Sequence, residues 1–281
     1  MRLLLLIICL LVPFQSLAGQ SLQVVTSIKP LQLIANQIMQ GSGSAEVLVH
    51  SNQSPHHFQL KPSQLSLASH ASLLIWVSNE FETGLNRLQS ILPAHSHQLE
   101  LAASLPPDLL IGDHHELDGH LWLAPEVVIA ISRLIEQQLS TLDPQNQPLY
   151  EQNTLALIRN ISEWRQQAQR RLDGIKPLYM LDHQFLAYFE RSFNLQNSGS
   201  LRSSHDHGSS IRQLSVLHEQ LKASPPACLL VSSLPASQQA LQLSRRYEID
   251  IRLIDTLGDT GHPETIIQLL DAIVKVLVAC E

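Results

Sequence analysis

Short apolar runs alternate with longer amphipathic stretches along this chain. Leu22–Thr26, Ala45–Val49, Leu73–Val77, Leu178–Leu181, Cys228–Val231 and Ile251–Ile254 have the length and apolar character of buried strands. Between them, helical spacing of apolar residues predicts helices near Leu31–Gln40, Phe81–Leu92, Pro125–Leu142, Phe185–Phe193, Ser209–Leu221, Ala236–Arg246 and Pro263–Val278, with a short one at Pro62. Pro125 and Pro263 suit a first helical turn, where no amide donor is needed. Strand–helix alternation of this kind predicts an α/β fold with parallel sheets.

One segment breaks the rhythm. Pro148–Leu172 contains no glycine and no proline after its first residue. As one helix of about 25 residues it would form a rod of roughly 37 Å. Leu155, Ile158, Ile161, Trp164 and Ala168 recur at helical spacing on one side. Two ordinary helices would need a breaker, and the segment has none. A rigid connector between two α/β halves is therefore expected, with halves at 19–143 and 176–281 joined through 144–175.

The first residues read differently. Arg2 is followed by the apolar run Leu3–Leu11, and Ser16-Leu17-Ala18 places small residues at the −3 and −1 positions of a cleavage site. This predicts a secretory signal peptide over 1–18. A buried first helix or a membrane anchor is the other reading, but the run is short for a span. Cys9 lies inside the run and is preceded by Ile8, not by the small residue that lipidation prefers. Export would leave Cys228 and Cys280, which suggests one disulfide stapling the C-terminal helix; two separate buried thiols are the alternative. Closing a loop of about fifty residues is worth about 4 kcal/mol on the chain-entropy account.

Composition narrows the function. Apolar residues make up 44% and charged residues 15%, against disorder. The net charge is −7, without a long Lys/Arg run, against nucleic-acid binding. Fourteen histidines against three cysteines direct attention to imidazole chemistry.

The histidines cluster. His56 and His57 follow the strand Ala45–Val49, where α/β folds build sites, although such a pair also suits an exposed loop. Asp113-His114-His115-Glu116-Leu117-Asp118-Gly119-His120 packs three histidines and three carboxylates into eight residues. His120 abuts an apolar segment and should be rigid. His114 and His115 fit ion capture and a solvated acidic loop equally. Asp182-His183 comes directly after the strand Leu178–Leu181, and Asp255 follows Ile251–Ile254, where an aspartate more often caps a turn. His205 and His207 form a looser pair. Three such histidines and one carboxylate, drawn from two halves, can converge on one ion. Imidazole with carboxylate suits tetrahedral Zn²⁺, whereas Mn²⁺ or Mg²⁺ would lean towards oxygen.

Taken in order, these segments resemble the metal-binding solute-binding proteins of bacterial ABC transporters, the ZnuA-like zinc group in particular. The resemblance is carried by Val25-Thr26-Ser27-Ile28-Lys29-Pro30, Pro55-His56 with Leu60-Lys61-Pro62-Ser63, and Trp76-Val77 with Glu80. It continues through His120-Leu121-Trp122-Leu123-Ala124-Pro125-Glu126, His183 with Tyr188-Phe189-Glu190, and Asp255 with Leu257-Gly258. It implies two α/β lobes bridged by one long helix, with the ion in the inter-lobe cleft. It also implies a cysteine pair in the second lobe, matching Cys228 and Cys280.

Residue by residue, the resemblance carries metal-ligand roles onto His56, His120, His183 and Asp255. His183 stands where manganese members tend to carry Glu, which favours zinc over manganese or iron. Several positions depart from the group: Pro55 and His57 flank the first histidine in place of a carboxylate, and Gln184 follows His183. The His-rich loop of many members is reduced to Asp113–Asp118, where His114, His115 and Glu116 would collect ions. The implied protein is a periplasmic monomer that hands Zn²⁺ to an ABC permease, and is not an enzyme. A secreted zinc hydrolase is the rival reading, but the sequence has no H-E-x-x-H helix and no nucleophile elbow. A surface protein that keeps zinc only for stability is a third.

Overall fold

The computed structural model describes residues 22–49, 55–56, 58–85, 88, 92, 96–112, 117–175, 178–202, 218–219 and 221–280. The expected signal peptide, His57, His114, His115, Glu116, His205, His207 and most of the helix expected over Ser209–Leu221 lie outside the described residues.

Two four-stranded parallel sheets form two lobes. The first contains β1 (Val24–Thr26), β2 (Ala45–Val47), β3 (Leu73–Trp76) and β4 (His97–Glu100), in the order β2-β1-β3-β4. The second contains β5 (Tyr179–His183), β6 (Ser200–Arg202), β7 (Cys228–Val231) and β8 (Asp250–Leu253), in the equivalent order β6-β5-β7-β8. The inner strands are apolar runs because both their faces are covered: every residue of β3 and of β7 is buried. β4 and β6 were not expected from the pattern. Both are edge strands with polar residues, HQLE and SLR, so neither shows the apolar signature of a doubly covered strand.

The helices are α1 (Lys29–Ile38), α2 (Pro62–Ser69), α3 (Leu101–Ser104), α4 (Pro125–Leu142), α5 (Gln147–Leu172), α6 (Ala187–Phe193), α7 (Gln238–Tyr247) and α8 (Ile266–Val278). The helix expected over Phe81–Leu92 is instead a single 3-10 turn at Thr83–Leu85 among the described residues. Gly84 lies tight against the chain there. A Cβ on it would stand 2.4 Å from the Phe58 carbonyl oxygen.

The connector is one helix of 26 residues, α5, about 39 Å long at 1.5 Å per residue. Its buried stripe runs Tyr150, Thr154, Leu157, Ile161, Trp164, Ala168 and Leu172. The upper part is offset from the expected stripe, leaving Leu155 59% exposed. Polar bonds fix both ends. Asn153 donates to the carbonyls of Ile38 and Gln40 at the end of α1, both at 2.9 Å. Trp164 Nε1 donates to Asp271 of α8 at 3.2 Å, and Arg171 pairs with the same carboxylate. Cys228 and Cys280 form a disulfide that ties β7 to the second residue after α8.

The lobes share one hydrophobic core. It extends from Val24 and Trp122 to Tyr179, Phe185, Leu230 and Leu277. Hydrogen bonds cross the seam as well: Trp122 Nε1 to the Thr256 carbonyl at 2.8 Å, Lys29 Nζ to the Gly258 carbonyl at 2.7 Å, and the Ile111 amide to Tyr188 Oη at 2.9 Å. A continuous packed interior resists gradual deformation, so wide hinge opening would break core contacts. A second cluster, including Met180, Leu229, Val231 and Leu243, covers another part of the second sheet.

Candidate metal centre

His120 is held from three sides. It precedes the 3-10 turn Leu121–Leu123, whose side chains are fully buried, and is itself 4% exposed. Its backbone amide and its Nδ1 both meet Asp118 Oδ1, at 3.0 and 2.8 Å. Gly119 lets the Phe81 ring lie against the backbone, since a Cβ there would stand 1.9 Å from the ring. His183, the last residue of β5, repeats the arrangement with its sequence neighbour. Its amide and Nδ1 meet Asp182 Oδ1 at 2.9 and 3.0 Å. In both residues a carboxylate engages Nδ1, which fixes the tautomer that leaves Nε2 as the lone-pair donor.

His56 comes from the loop between β2 and α2. Its carbonyl accepts from Thr83 Oγ1 at 3.0 Å, and its ring meets Phe81 edge-on, with centroids 4.6 Å apart.

The three imidazoles converge. Each offers one ring nitrogen, and these three atoms lie within 4.8 Å of one another. Their ring centroids are 5.6, 6.0 and 6.4 Å apart. Phe81, Trp122 and Phe185 wall the group, with centroids 5.3, 5.6 and 6.4 Å from His120. Two of the histidines come from the first lobe and one from the second. A tetrahedral zinc with nitrogen at about 2.0–2.1 Å needs ligand atoms roughly 3.3 Å apart, a small side-chain movement from this spacing. The trio can therefore hold a cation through neutral nitrogen. Asp118 and Asp182 supply negative charge one ring away, which offsets the charge of a divalent ion.

Asp255 is not part of this group among the described residues. Its Oδ1 accepts the amides of Gly258 and Asp259 at 2.7 and 2.9 Å. Its Oδ2 accepts the Thr260 amide and hydroxyl and the Gly261 amide, at 2.7, 2.8 and 3.2 Å. Burial favours the neutral acid, but these bonds outweigh it and hold the carboxyl below its ordinary range. The carboxylate organises the 255–261 loop, on whose carbonyls Trp122 and Lys29 dock from the other lobe.

Sequence reasoning counted Asp118 only as a metal-capable group and gave Asp182 no role. Their D-x-H and D-H spacings are the pattern that marks an imidazole brace. Phe81, Gly119 and Phe185 carry no such local sign, because their role depends on contacts distant in sequence.

The comparisons agree with this architecture. The family model of the periplasmic zinc-uptake complex component A, ZnuA, matches residues 24–280. The high-affinity zinc uptake system protein ZnuA of Haemophilus ducreyi is 24% identical over 283 residues, covering 88% of this chain and 91% of that protein. Among solved structures, the periplasmic zinc-binding protein TroA from Treponema pallidum matches with a TM-score of 0.82 at 16% identity, covering 93% of this chain and 99% of that one. The Zn(II)-bound ZnuA-like domain of AdcA from Streptococcus pneumoniae gives 0.75 at 20% identity, with 93% and 99% covered. At such identities the two structures establish the shared fold: two α/β lobes bridged by one long helix.

Proposed function

The chain belongs to the ZnuA family, and on that premise we propose that it captures Zn²⁺ between its lobes and delivers it to an ABC permease. One observation carries the reading: His56, His120 and His183, from separate segments of two lobes, bring their ring nitrogens within 4.8 Å of one another. The family resemblance in the sequence and the names of the relatives support the same cargo. Imidazole at all three positions favours zinc over manganese, which leans towards harder oxygen donors. Water or another carboxylate would complete the shell, with His114, His115 and Glu116 gathering ions. The 1–18 segment would direct export to the periplasm, where the protein works as a monomeric carrier without catalysis.

The bridged core gives release a particular form. Because the lobes are packed into one interior, the ion would leave by movement of the loops carrying His56 or His120, not by wide separation of the lobes.

Metal analysis of protein purified without chelator or nickel resin tests the reading. About one zinc per chain is expected, exchangeable into a chelator while the fold persists. Protein that holds no zinc would overturn it. Zinc that leaves only on unfolding would mark a structural ion, not cargo.

A further inference from the structure

Glu82 is fully buried, at 0% exposure the most deeply placed carboxyl among the described residues. Its Oε2 accepts the backbone amides of Val77 and Ser78, at 2.6 and 3.3 Å, just beyond β3. The side chain also meets that of Ser27, just beyond β1. Among the described residues, neither Ser27 Oγ nor Glu82 Oε1 has a partner at full hydrogen-bond geometry, which leaves each open to the other. A bare carboxylate in this position would be a buried charge with no cation among the described residues to balance it. The charged group that acts on it is Glu100, of like sign.

The turn that Glu82 closes carries two contacts to the candidate centre. The Phe81 amide donates to Ser78 Oγ at 3.1 Å, and the Glu82 amide to the Ser78 carbonyl at 3.0 Å. The turn thereby sets the Phe81 ring against His56 and His120, and aims Thr83 Oγ1 at the His56 carbonyl.

We propose that Glu82 is a positioning residue of the metal centre that acts in its neutral, protonated form, with Oε2 accepting the Val77 and Ser78 amides and the Oε1 proton donated to Ser27. The staple joins the ends of β1 and β3 and holds Phe81 and Thr83 where they orient the imidazoles. Its role in the metal centre rests on the zinc-carrier reading above. The electrostatics agree: burial, with repulsion from Glu100 adding to it and the Ser27, Val77 and Ser78 hydrogen bonds opposing it, pushes the carboxyl up to about 8.

The test compares wild type with Glu82→Gln and Glu82→Ala. A native state that keeps a proton which the unfolded chain loses above its ordinary value of 4.5 becomes less stable as pH rises from there to about 8. Denaturant titrations of the metal-free protein at pH 5.5, 6.5 and 7.5 should show the wild-type folding constant falling relative to Glu82→Gln by about tenfold per pH unit. Parallel curves would overturn the protonated form. Glutamine mimics the neutral acid, so Glu82→Gln should bind zinc within about threefold of wild type at pH 7, and Glu82→Ala about tenfold more weakly. If Glu82→Ala does not fold, Ser27→Ala removes only the partner and should weaken zinc binding several-fold. Wild-type zinc affinity in Glu82→Ala, or in Ser27→Ala where that replaces it, would overturn the positioning role. Wild-type protein that binds no zinc sinks the carrier reading, whereas the metal-free pH comparison still decides the proton on Glu82.

Discussion

In the first sheet, the chain leaving the edge strand β4 leads to His120; in the second, the strand at the equivalent position, β8, leads to Asp255. The two residues meet opposite demands. His120 is anchored through Nδ1 by Asp118 and keeps its other nitrogen for the trio. Asp255 takes five hydrogen bonds on two oxygens, about the full capacity of a carboxylate. An imidazole has two separated nitrogens, so one can be fixed by the fold and the other offered outward. A carboxylate that fixes its own loop has no lone pair left to offer. On the proposed reading, the same topology would give a ligand at this position in one lobe and a loop brace in the other.

The sharpest way to break this comparison is to remove a ligand. Structural zinc sites bind with roughly 10–16 kcal/mol from four ligands, so one imidazole corresponds to about 3 kcal/mol, or about a hundredfold in affinity. His120→Ala and His183→Ala should each lose at least that much zinc affinity by calorimetry. Equal binding by His120→Ala and wild type would remove the centre from this place.

A smaller effect is expected one atom further out. Asp118→Asn and Asp182→Asn keep the shape of the brace but lose its charge, and outer partners of this kind are worth about 10–100-fold in metal affinity. The imidazoles should remain ligands in both variants, so Co²⁺ substituted for zinc should keep its visible spectrum. A changed spectrum would mean that the carboxylate itself reaches the ion.

The elements that position the site were legible to different degrees, for physical reasons. β7 and α4 match their expected ranges, because Cys228–Val231 is covered on both faces and Pro125–Leu142 has a clear apolar stripe behind an N-terminal proline. The connector was legible from its lack of breakers. Its stripe was read partly out of phase, since Leu155 looks like core and Thr154 does not, yet the latter is buried. The trio followed from histidines at strand ends and before a buried turn. The braces stand one or two residues from their histidines and were legible in spacing but given no such role, whereas the aromatic walls depend on contacts distant in sequence, which local periodicity does not encode.

The subtlest test falls on the second member of the comparison. In Asp255→Asn one oxygen becomes an amide nitrogen facing backbone donors, and lost or mismatched hydrogen bonds of this kind cost about 1–3 kcal/mol. The native aspartate is held below its ordinary 3.8, so it stabilises the fold above that pH, and its contribution is lost as pH falls through its lowered folded value. The stability gap between wild type and Asp255→Asn should therefore be full at pH 7 and shrink below about pH 4. Zinc affinity should fall less than about tenfold, through looser docking of Trp122 and Lys29 on the loop, because the brace acts on the ion only at a distance. Paired denaturation and calorimetry separate the two quantities. A hundredfold loss of zinc with little loss of stability would place Asp255 on the ion, and the two lobes would then both end in ligands.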